Sequence, residues 1–588
     1  MVIARLTPDA NPQQALARLN PLFLRTAYQS LPEPKAADQK PVLSFETSRG
    51  ISGLRRLYRE SLLMMQSMVA LVLLIACGNV AMLLTARNVA RSREFGVRAA
   101  LGGGRSRLFR QLVTESLLLV SCGAALGWLL AVVASRALGA WFDLNQDFAP
   151  DRTVLLYTLA LSTAAALAFG LAPFRGVRRV TATSALRTSS VTASSGRERM
   201  FVRKAVIAVQ VAVCVVLLAS AALLVRTLAN LERADLGMRV EGLLVFGLSM
   251  EKAELTIEET EGFFSVALDR VRRLPGVQSA TVTWLRLGDK NSSNTSVSID
   301  GQPPAQGQDQ PVRWNRVGSD FLATLGIPLL SGRDISVADT FTAPRVVVVN
   351  EAFAKRYFQG RDPLGHEISL SGPRNPRSVI VGVAANSKYT EVREVAIPMA
   401  YFSQQAFPLR TMHFEVRTAA DPSGIWPEIR ASMQELSPGL PLLEPMTQSG
   451  QFARTIASER LFGRLALFFG LLSVVLIGTG VYGTLAYTVG HRTPEIGVRM
   501  ALGARAGQVL GMVLRESLIV CAVGVVLGVP LALASTRFLE SLLYGVTPAD
   551  PAAFIAATAG ILLVALFTSL IPALRAAAIE PSTALRSD

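Results

Sequence analysis

The sequence predicts a membrane α-helical protein with about seven transmembrane helices. These form two tandem copies of one module, accompanied by an α+β extracytoplasmic domain. Three observations predict this. Half of the 588 residues are hydrophobic, 17% are charged and the mean hydropathy is +0.38, values rare in soluble proteins of this length. The apolar residues gather into uncharged runs long enough to cross a bilayer. A block of charges and glycines also recurs, in register, far along the chain.

The runs lie near 62–84, 113–135, 153–173, 205–225, 465–488, 516–536 and 552–572. Each is rich in Leu, Val, Ala and Ile. In hydrocarbon every backbone N–H and C=O must find an internal partner, so each run is read as a helix. A polar stretch of more than 230 residues separates the fourth run from the fifth, too long for a loop and enough for a folded domain. The organisation that follows is 1–60, the tail of a first extracytoplasmic domain; 61–204, a module of three spans and a cytoplasmic linker; 205–225, the first helix of a second module; 226–464, the large extracytoplasmic domain; and 465–588, three further spans.

The net charge of +16 is not spread evenly. Segments 85–112, 173–204, 489–515 and 573–588 together hold 21 basic and five acidic residues, which accounts for all of it. The opposite loops 138–151 and 538–551 carry Asp143, Asp147, Asp151, Glu540 and Asp550 but no Lys or Arg. Positive charge stays in the cytoplasm, so the basic side and the C-terminus are placed there and the large domain outside. Arg55, Arg56 and Arg59 run against this bias. Because topology explains the basic balance, nucleic-acid binding is not invoked. Cys77, Cys122, Cys214 and Cys521 all sit within apolar runs, with no disulfide or metal spacing, and His366, His413 and His491 are scattered. No metal or other cofactor is expected.

The repeat aligns REFGVRAALGGGRSRLFRQLVTESLLLVSCGAALG (93–127) with PEIGVRMALGARAGQVLGMVLRESLIVCAVGVVLG (494–528) without gaps. Glu94 meets Glu495, Gly96 meets Gly497, Arg98 meets Arg499, Leu101 meets Leu502, Gly102 meets Gly503 and Glu115 meets Glu516. The pairs Gly123/Gly524 and Gly127/Gly528 coincide too, as do Pro173 and Pro572. The N-terminal MVIARLTPDANPQQALARLNPLF is similar to 413–436, both reading as strand, Pro-containing turn and amphipathic helix. Two parallel copies imply a pseudo-twofold axis along the membrane normal.

With these residues in view, ALVLLIACGNVAMLLTARNVARSREFGVRAALGGGRSRLFRQLVTESLLL resembles the core of MacB/FtsX-type ABC permeases, as does its second copy. NEAFAKRYFQGRDPLGHEISL (350–370) and VIVGVAANSKYTEVRE (379–394) resemble the MacB-type periplasmic core domain. The tandem arrangement is similar to the duplicated orphan permeases of that superfamily. The resemblance implies a multi-pass protein of the bacterial cytoplasmic (inner) membrane that serves export or mechanotransmission. A separate ABC ATPase and a periplasmic adaptor or effector are the implied partners. It also implies four helices per module, so the first module is expected to lack its first helix and most of its ectodomain, as in an abbreviated or fragmentary chain. Two alternatives share the architecture: an FtsX-like scaffold regulating a cell-wall hydrolase, and a lipoprotein-releasing permease.

The residues say the following beside that resemblance. Glu94/Arg98 and Glu495/Arg499 are i,i+4 pairs in the favourable order on short basic amphipathic segments, and Gly102 and Gly503 read as helix ends. In the resembling family this region rests on the ATPase. Positive-inside anchoring needs basic residues but not a repeated Glu-x-Gly-x-Arg-x-x-Leu-Gly; the resemblance implies that Glu94, Gly96, Arg98, Gly102, Glu495, Gly497, Arg499 and Gly503 serve ATPase coupling. Gly123-x-x-x-Gly127 and Gly524-x-x-x-Gly528 are assigned to helix packing, since small residues four apart let helices approach closely. Glu115 and Glu516 read as interfacial ion pairs near Arg110 and Arg515. No ionisable residue lies mid-span, which argues against an ion-driven secondary transporter. No G-x-x-x-x-G-K-[ST] occurs, so ATP binding is expected on another subunit. The large domain reads as two βαβ-like units flanking an insertion, with Trp284 and Trp314 packed rather than exposed for binding, and no hydrolytic constellation stands out.

Overall fold

The protein is described from a computed structural model covering residues 12–30, 52–90, 105–141, 151–157, 160, 192–251, 256–302, 311–339, 344–370, 377–404 and 409–579. The chain forms two compact units, Met1–Ala70 and Leu71–Asp588. The first contains α1 (Pro12–Ser30) and the start of α2 (Ser52–Ala90). The strand expected before α1 lies outside the described residues.

In the second unit, α2 is followed by α3 (Arg105–Trp141) and α4 (Thr192–Glu232). Among the described residues, five helical stretches are long and apolar enough to span a bilayer: Leu62–Met82, Met200–Glu232, Ala457–His491, Ala506–Leu542 and Pro551–Ala577. The run expected at 113–135 lies within α3, whose described apolar part is Ser121–Ala137. The run expected at 153–173 lies mostly outside the described residues.

Between α4 and the last helices the described residues form a single mixed sheet of twelve strands. Its first unit is β1 (Leu243–Ser249), α5 (Ile257–Arg272) and β2 (Val277–Thr283). A capping box starts α5: Thr256 accepts from the Glu259 N–H while Glu259 accepts from the Thr256 N–H. The insertion supplies β3 (Ser293–Thr295), β4 (Val297–Ile299), β5 (Val312–Val317), α6 (Phe321–Leu325), β6 (Leu329–Gly332), β7 (Val346–Asn350), α7 (Glu351–Phe358), β8 (Glu367–Leu370), β9 (Ser378–Ala384) and β10 (Met399–Ser403). The second unit is β11 (Thr411–Thr418), α8 (Trp426–Leu436) and β12 (Leu442–Thr447).

The main path of the sheet runs β12-β1-β11-β2-β5-β10-β7-β9-β8-β4. The two βαβ units therefore interlock. β11 lies antiparallel between β1 and β2, while β1 lies between β11 and β12, which is a split βαβ arrangement. The alternation of β11 explains its two faces. Met412, Phe414 and Val416 point into a core under α5 and α8, and His413, Glu415 and Arg417 point the other way. Trp314 is 9% exposed, and the Arg316 guanidinium lies 4.9 Å from the Trp284 ring and 5.1 Å from the Trp314 ring. The tryptophans thus pack around a cation, as their apolar bodies favour.

The chain returns to the bundle through α9 (Gln448–Thr455), whose Phe452 is in the sheet-domain core, and then α10 (Ala457–His491). After α10 come α11 (Thr493–Ala501), α12 (Ala506–Thr536), a 3-10 turn at Arg537–Leu542 and α13 (Pro551–Ala577). Asp550 caps α13 by accepting from the N–H groups of Ala552 and Ala553, with Pro551 at the first turn where its missing N–H costs nothing.

α4 is the axis of the bundle. In its most apolar stretch 78% of the residues are buried, against 39% in α10 and 28% in each of α12 and α13. The surrounding helices turn large apolar side chains outward, among them Phe468, Val475, Val526 and Phe567. Such a surface suits lipid, not water.

Candidate coupling site at the far end of the bundle

α10 leaves the sheet domain at Ala457 and ends at His491, so α11 sits at the end of the bundle remote from the sheet. Pro494 lies in its first turn together with Glu495, and Arg499 lies in its last, the order that suits the helix dipole. Arg499 Nη2 and Glu495 Oε1 are 2.7 Å apart, with both side chains about half exposed. Arg499 Nη1 also meets Met512 Sδ at 2.9 Å, across the turn on α12. Ile496 and Gly497 are buried. They hold the inner face of this short helix while Val498 and Leu502, 83% exposed, stand outside.

Gly503 ends the turn with φ +96°, a left-handed conformation that a side chain would strain. The following Arg505 N–H is capped by Gln508 Oε1 at 3.0 Å, which starts α12. The result is a stiff helix–turn–helix corner presenting a leucine beside an ion pair. Glu94, Gly96, Arg98 and Gly102 of the first copy lie outside the described residues.

Glu516 does not pair with its sequence neighbour Arg515. It lies 2.6 Å from Lys204 Nζ on α4 and 3.0 Å from Arg492 Nη1 at the end of α10. One carboxylate thereby ties three helices, because about three turns into α12 this side chain meets Lys204 on α4 and Arg492 at the end of α10. Periodicity along α12 alone could not have identified these partners. In the first copy, Glu115 Oε1 accepts from Gln111 Nε2 one turn earlier on α3.

Gly524 and Gly528 lie on the α12 face packed on α4. A Cβ at Gly524 would stand 2.6 Å from Val211 Cβ and 2.7 Å from the Ala208 carbonyl oxygen. At Gly528 it would stand 2.8 Å from Ala212 Cα. No described atom lies within 4 Å of the corresponding positions at Gly123 and Gly127.

At the opposite end, the sheet domain is fastened to the bundle. Arg393 Nη2 donates to the Leu542 carbonyl at 2.6 Å, and its Nε lies 3.2 Å from Glu459 Oε1 at the start of α10. Within the bundle, Asn230 Nδ2 on α4 donates to the carbonyls of Tyr544 and Gly545, in the link before α13. Deeper in the sheet, Glu415 is fully buried on β11, and burial pushes its carboxyl up to about 8 despite Arg286 and Arg417 nearby.

The chain matches the "FtsX-like permease C-terminal" family twice, over residues 67–182 and 467–581, and the "MacB-like periplasmic core domain" family over residues 206–432. The chain belongs to the MacB/FtsX-type ABC permeases. Among the relatives of this permease is the pyoverdine export ATP-binding/permease protein PvdT of Pseudomonas aeruginosa. It is 27% identical over 302 residues, which cover 48% of this chain and 45% of that protein. The macrolide export ATP-binding/permease protein MacB of Agrobacterium fabrum is 27% identical over 347 residues, covering 57% and 52%. The permease thus spans about half the length of the curated relatives it matches. The periplasmic region of MacB from Actinobacillus actinomycetemcomitans aligns at 13% identity over 37% of this chain and 94% of its own, with a TM-score of 0.27. A MacB/FtsX-type permease with its apolar helices and MacB-like core domain is an inner-membrane protein with an extracytoplasmic domain.

Proposed function

We propose that this permease couples a separate cytoplasmic ABC ATPase to its extracytoplasmic sheet domain, in an export or mechanotransmission system. The observation that carries the reading is the α11 corner: Leu502 is 83% exposed beside the Glu495–Arg499 pair, on a helix fixed from within by Ile496. An exposed leucine rimmed by charges costs free energy in water and is recovered by a partner's apolar pocket. The ATPase pushes this corner and, by the sequence repeat, the segment carrying Glu94, Gly96, Arg98 and Gly102. α10 and α12 carry the displacement along the bundle, and Arg393 with Glu459 and Leu542 hands it to the sheet domain. The basic side and the C-terminus face the cytoplasm in this reading. A periplasmic adaptor or effector then meets the sheet domain. ATP binding falls to another subunit because the sequence contains no P-loop.

A photoreactive residue placed at 502 tests this in native membranes. It should crosslink to an ABC ATPase, identified by mass spectrometry, whereas the same residue at position 538 should not. Phe538 is equally exposed, at 86%, but stands at the sheet-domain end. Equal labelling from both positions, or no ATPase from either, would defeat the reading.

A further inference from the structure

Beside the α11 corner, α4, α10 and α12 line a cavity of about 290 Å³. Its walls divide by chemistry. Ile207, Val481, Leu485 and Val520 form an apolar side. Arg203, Lys204 and Arg492 bring three cations to the same space, and Glu516 brings one carboxylate. That carboxylate is already engaged by Lys204 and Arg492. The Arg203 guanidinium lies 4.0 Å from the Tyr487 ring centroid, and no carboxylate among the described residues lies within ion-pair distance of it. The cavity therefore holds two positive charges in excess, one of them fixed over an aromatic face.

From this balance we infer that the cavity binds the headgroup of an anionic phospholipid. Its phosphate faces Arg203 and the Lys204–Arg492 edge, and its glycerol and first acyl carbons lie on the apolar wall. Charge complementarity selects an anion, and the apolar wall selects an amphiphile over a free ion. Inorganic phosphate would leave Ile207, Val481, Leu485 and Val520 facing water. Basic pockets between helix ends are suited to anionic headgroups, at roughly 1 kcal/mol or about fivefold in affinity per cation. The inference needs neither the ATPase nor the role given to α11.

The test uses the full-length protein, purified in a neutral detergent and titrated with phosphatidylglycerol, phosphatidylcholine or inorganic phosphate. Retained lipid is read by native mass spectrometry. Phosphatidylglycerol should bind at least about fivefold more tightly than phosphatidylcholine, and inorganic phosphate should not displace it. Arg203→Gln should weaken phosphatidylglycerol binding about fivefold and Arg203→Lys should retain it. Glu516→Gln, which releases Lys204 and Arg492, should strengthen it. Annular lipid would ignore all three changes. Equal retention of the two lipids overturns the inference, as does unchanged binding in Arg203→Gln. Displacement by inorganic phosphate would make the cavity a free-anion site and overturn the lipid assignment. Because Arg203→Gln and Glu516→Gln move affinity in opposite directions, misfolding of one leaves the other decisive.

Discussion

The two copies of the repeated segment share their glycines but not their neighbours. On α12, Gly524 and Gly528 let α4 come so close that an added methyl would strike its backbone. On α3, Gly123 and Gly127 meet no described atom within 4 Å. The same small-xxx-small pattern is thus a seam in one copy and, among the described residues, an open face in the other. A GxxxG spacing makes close approach possible and does not say which helix approaches. The difference teaches that each copy must be judged by what faces it.

The largest effect should come from closing that seam. Gly524→Ala and Gly528→Ala should each destabilise the detergent-solubilised protein by about 1–3 kcal/mol through overpacking. Gly123→Ala and Gly127→Ala should be neutral or stabilising by up to about 1 kcal/mol, because alanine is the better helix former. Thermal unfolding followed by circular dichroism reads both. Equal losses in the two copies would mean that α3 is packed as tightly as α12.

A smaller effect is expected where the span of the first copy docks on the second module. Asn79 on α2 donates to the Leu476 carbonyl on α10 at 2.5 Å, and its Oδ1 accepts from Gln210 Nε2 on α4 at 3.3 Å. Gln210 Nε2 also donates to the Ile75 carbonyl. All of this is buried, in a setting where interhelical hydrogen bonds contribute about 0.6 kcal/mol on average and at most about 1.7. Asn79→Leu should lower stability by about 1 kcal/mol, and Gln210→Leu in the same protein should add less than its separate cost, since the two share a bond. Strict additivity in a double-mutant cycle would show that the copies dock without this node.

These contacts also mark where the sequence stops being informative. The apolar runs, the repeat and the two βαβ-like units are legible, because hydropathy and strand alternation are local properties. Which span is central is not. α4 and α13 are similarly apolar, yet the apolar stretch of one is 78% buried and that of the other 28%. Lipid tails and neighbouring helices present the same chemistry to a leucine. The partners of Glu516 were hidden for a related reason: Lys204 and Arg492 are remote in sequence and arrive only when three helices are bundled. In the sheet, β11 inserts between β1 and β2 from more than a hundred residues away, which no local pattern foretells. The helical corner at 493–503 is different. Its Pro, its i,i+4 pair and its glycine are all local signals, and the structure places them on one short helix and its terminal turn.

That corner supplies the prediction with the smallest effect on stability and the clearest bearing on the two copies. The Glu495–Arg499 pair is half exposed, so it adds only about 0.3–0.5 kcal/mol to the helix. Arg499→Glu should leave unfolding and membrane insertion within about 0.5 kcal/mol of the parent while reducing capture of the ATPase. The exchanged pair Glu495→Arg with Arg499→Glu separates the two roles. It rebuilds an i,i+4 ion pair on α11 with the charges reversed. If the pair served only the helix, the exchange would restore ATPase capture along with helix stability. If the partner reads the charges, capture stays low while stability returns. Arg98→Glu carries the same question to the first copy. A loss of capture there equal to that of Arg499→Glu would mean the partner engages both copies alike, although their packing seams differ. A loss confined to Arg499→Glu would mean that only the second copy receives the push.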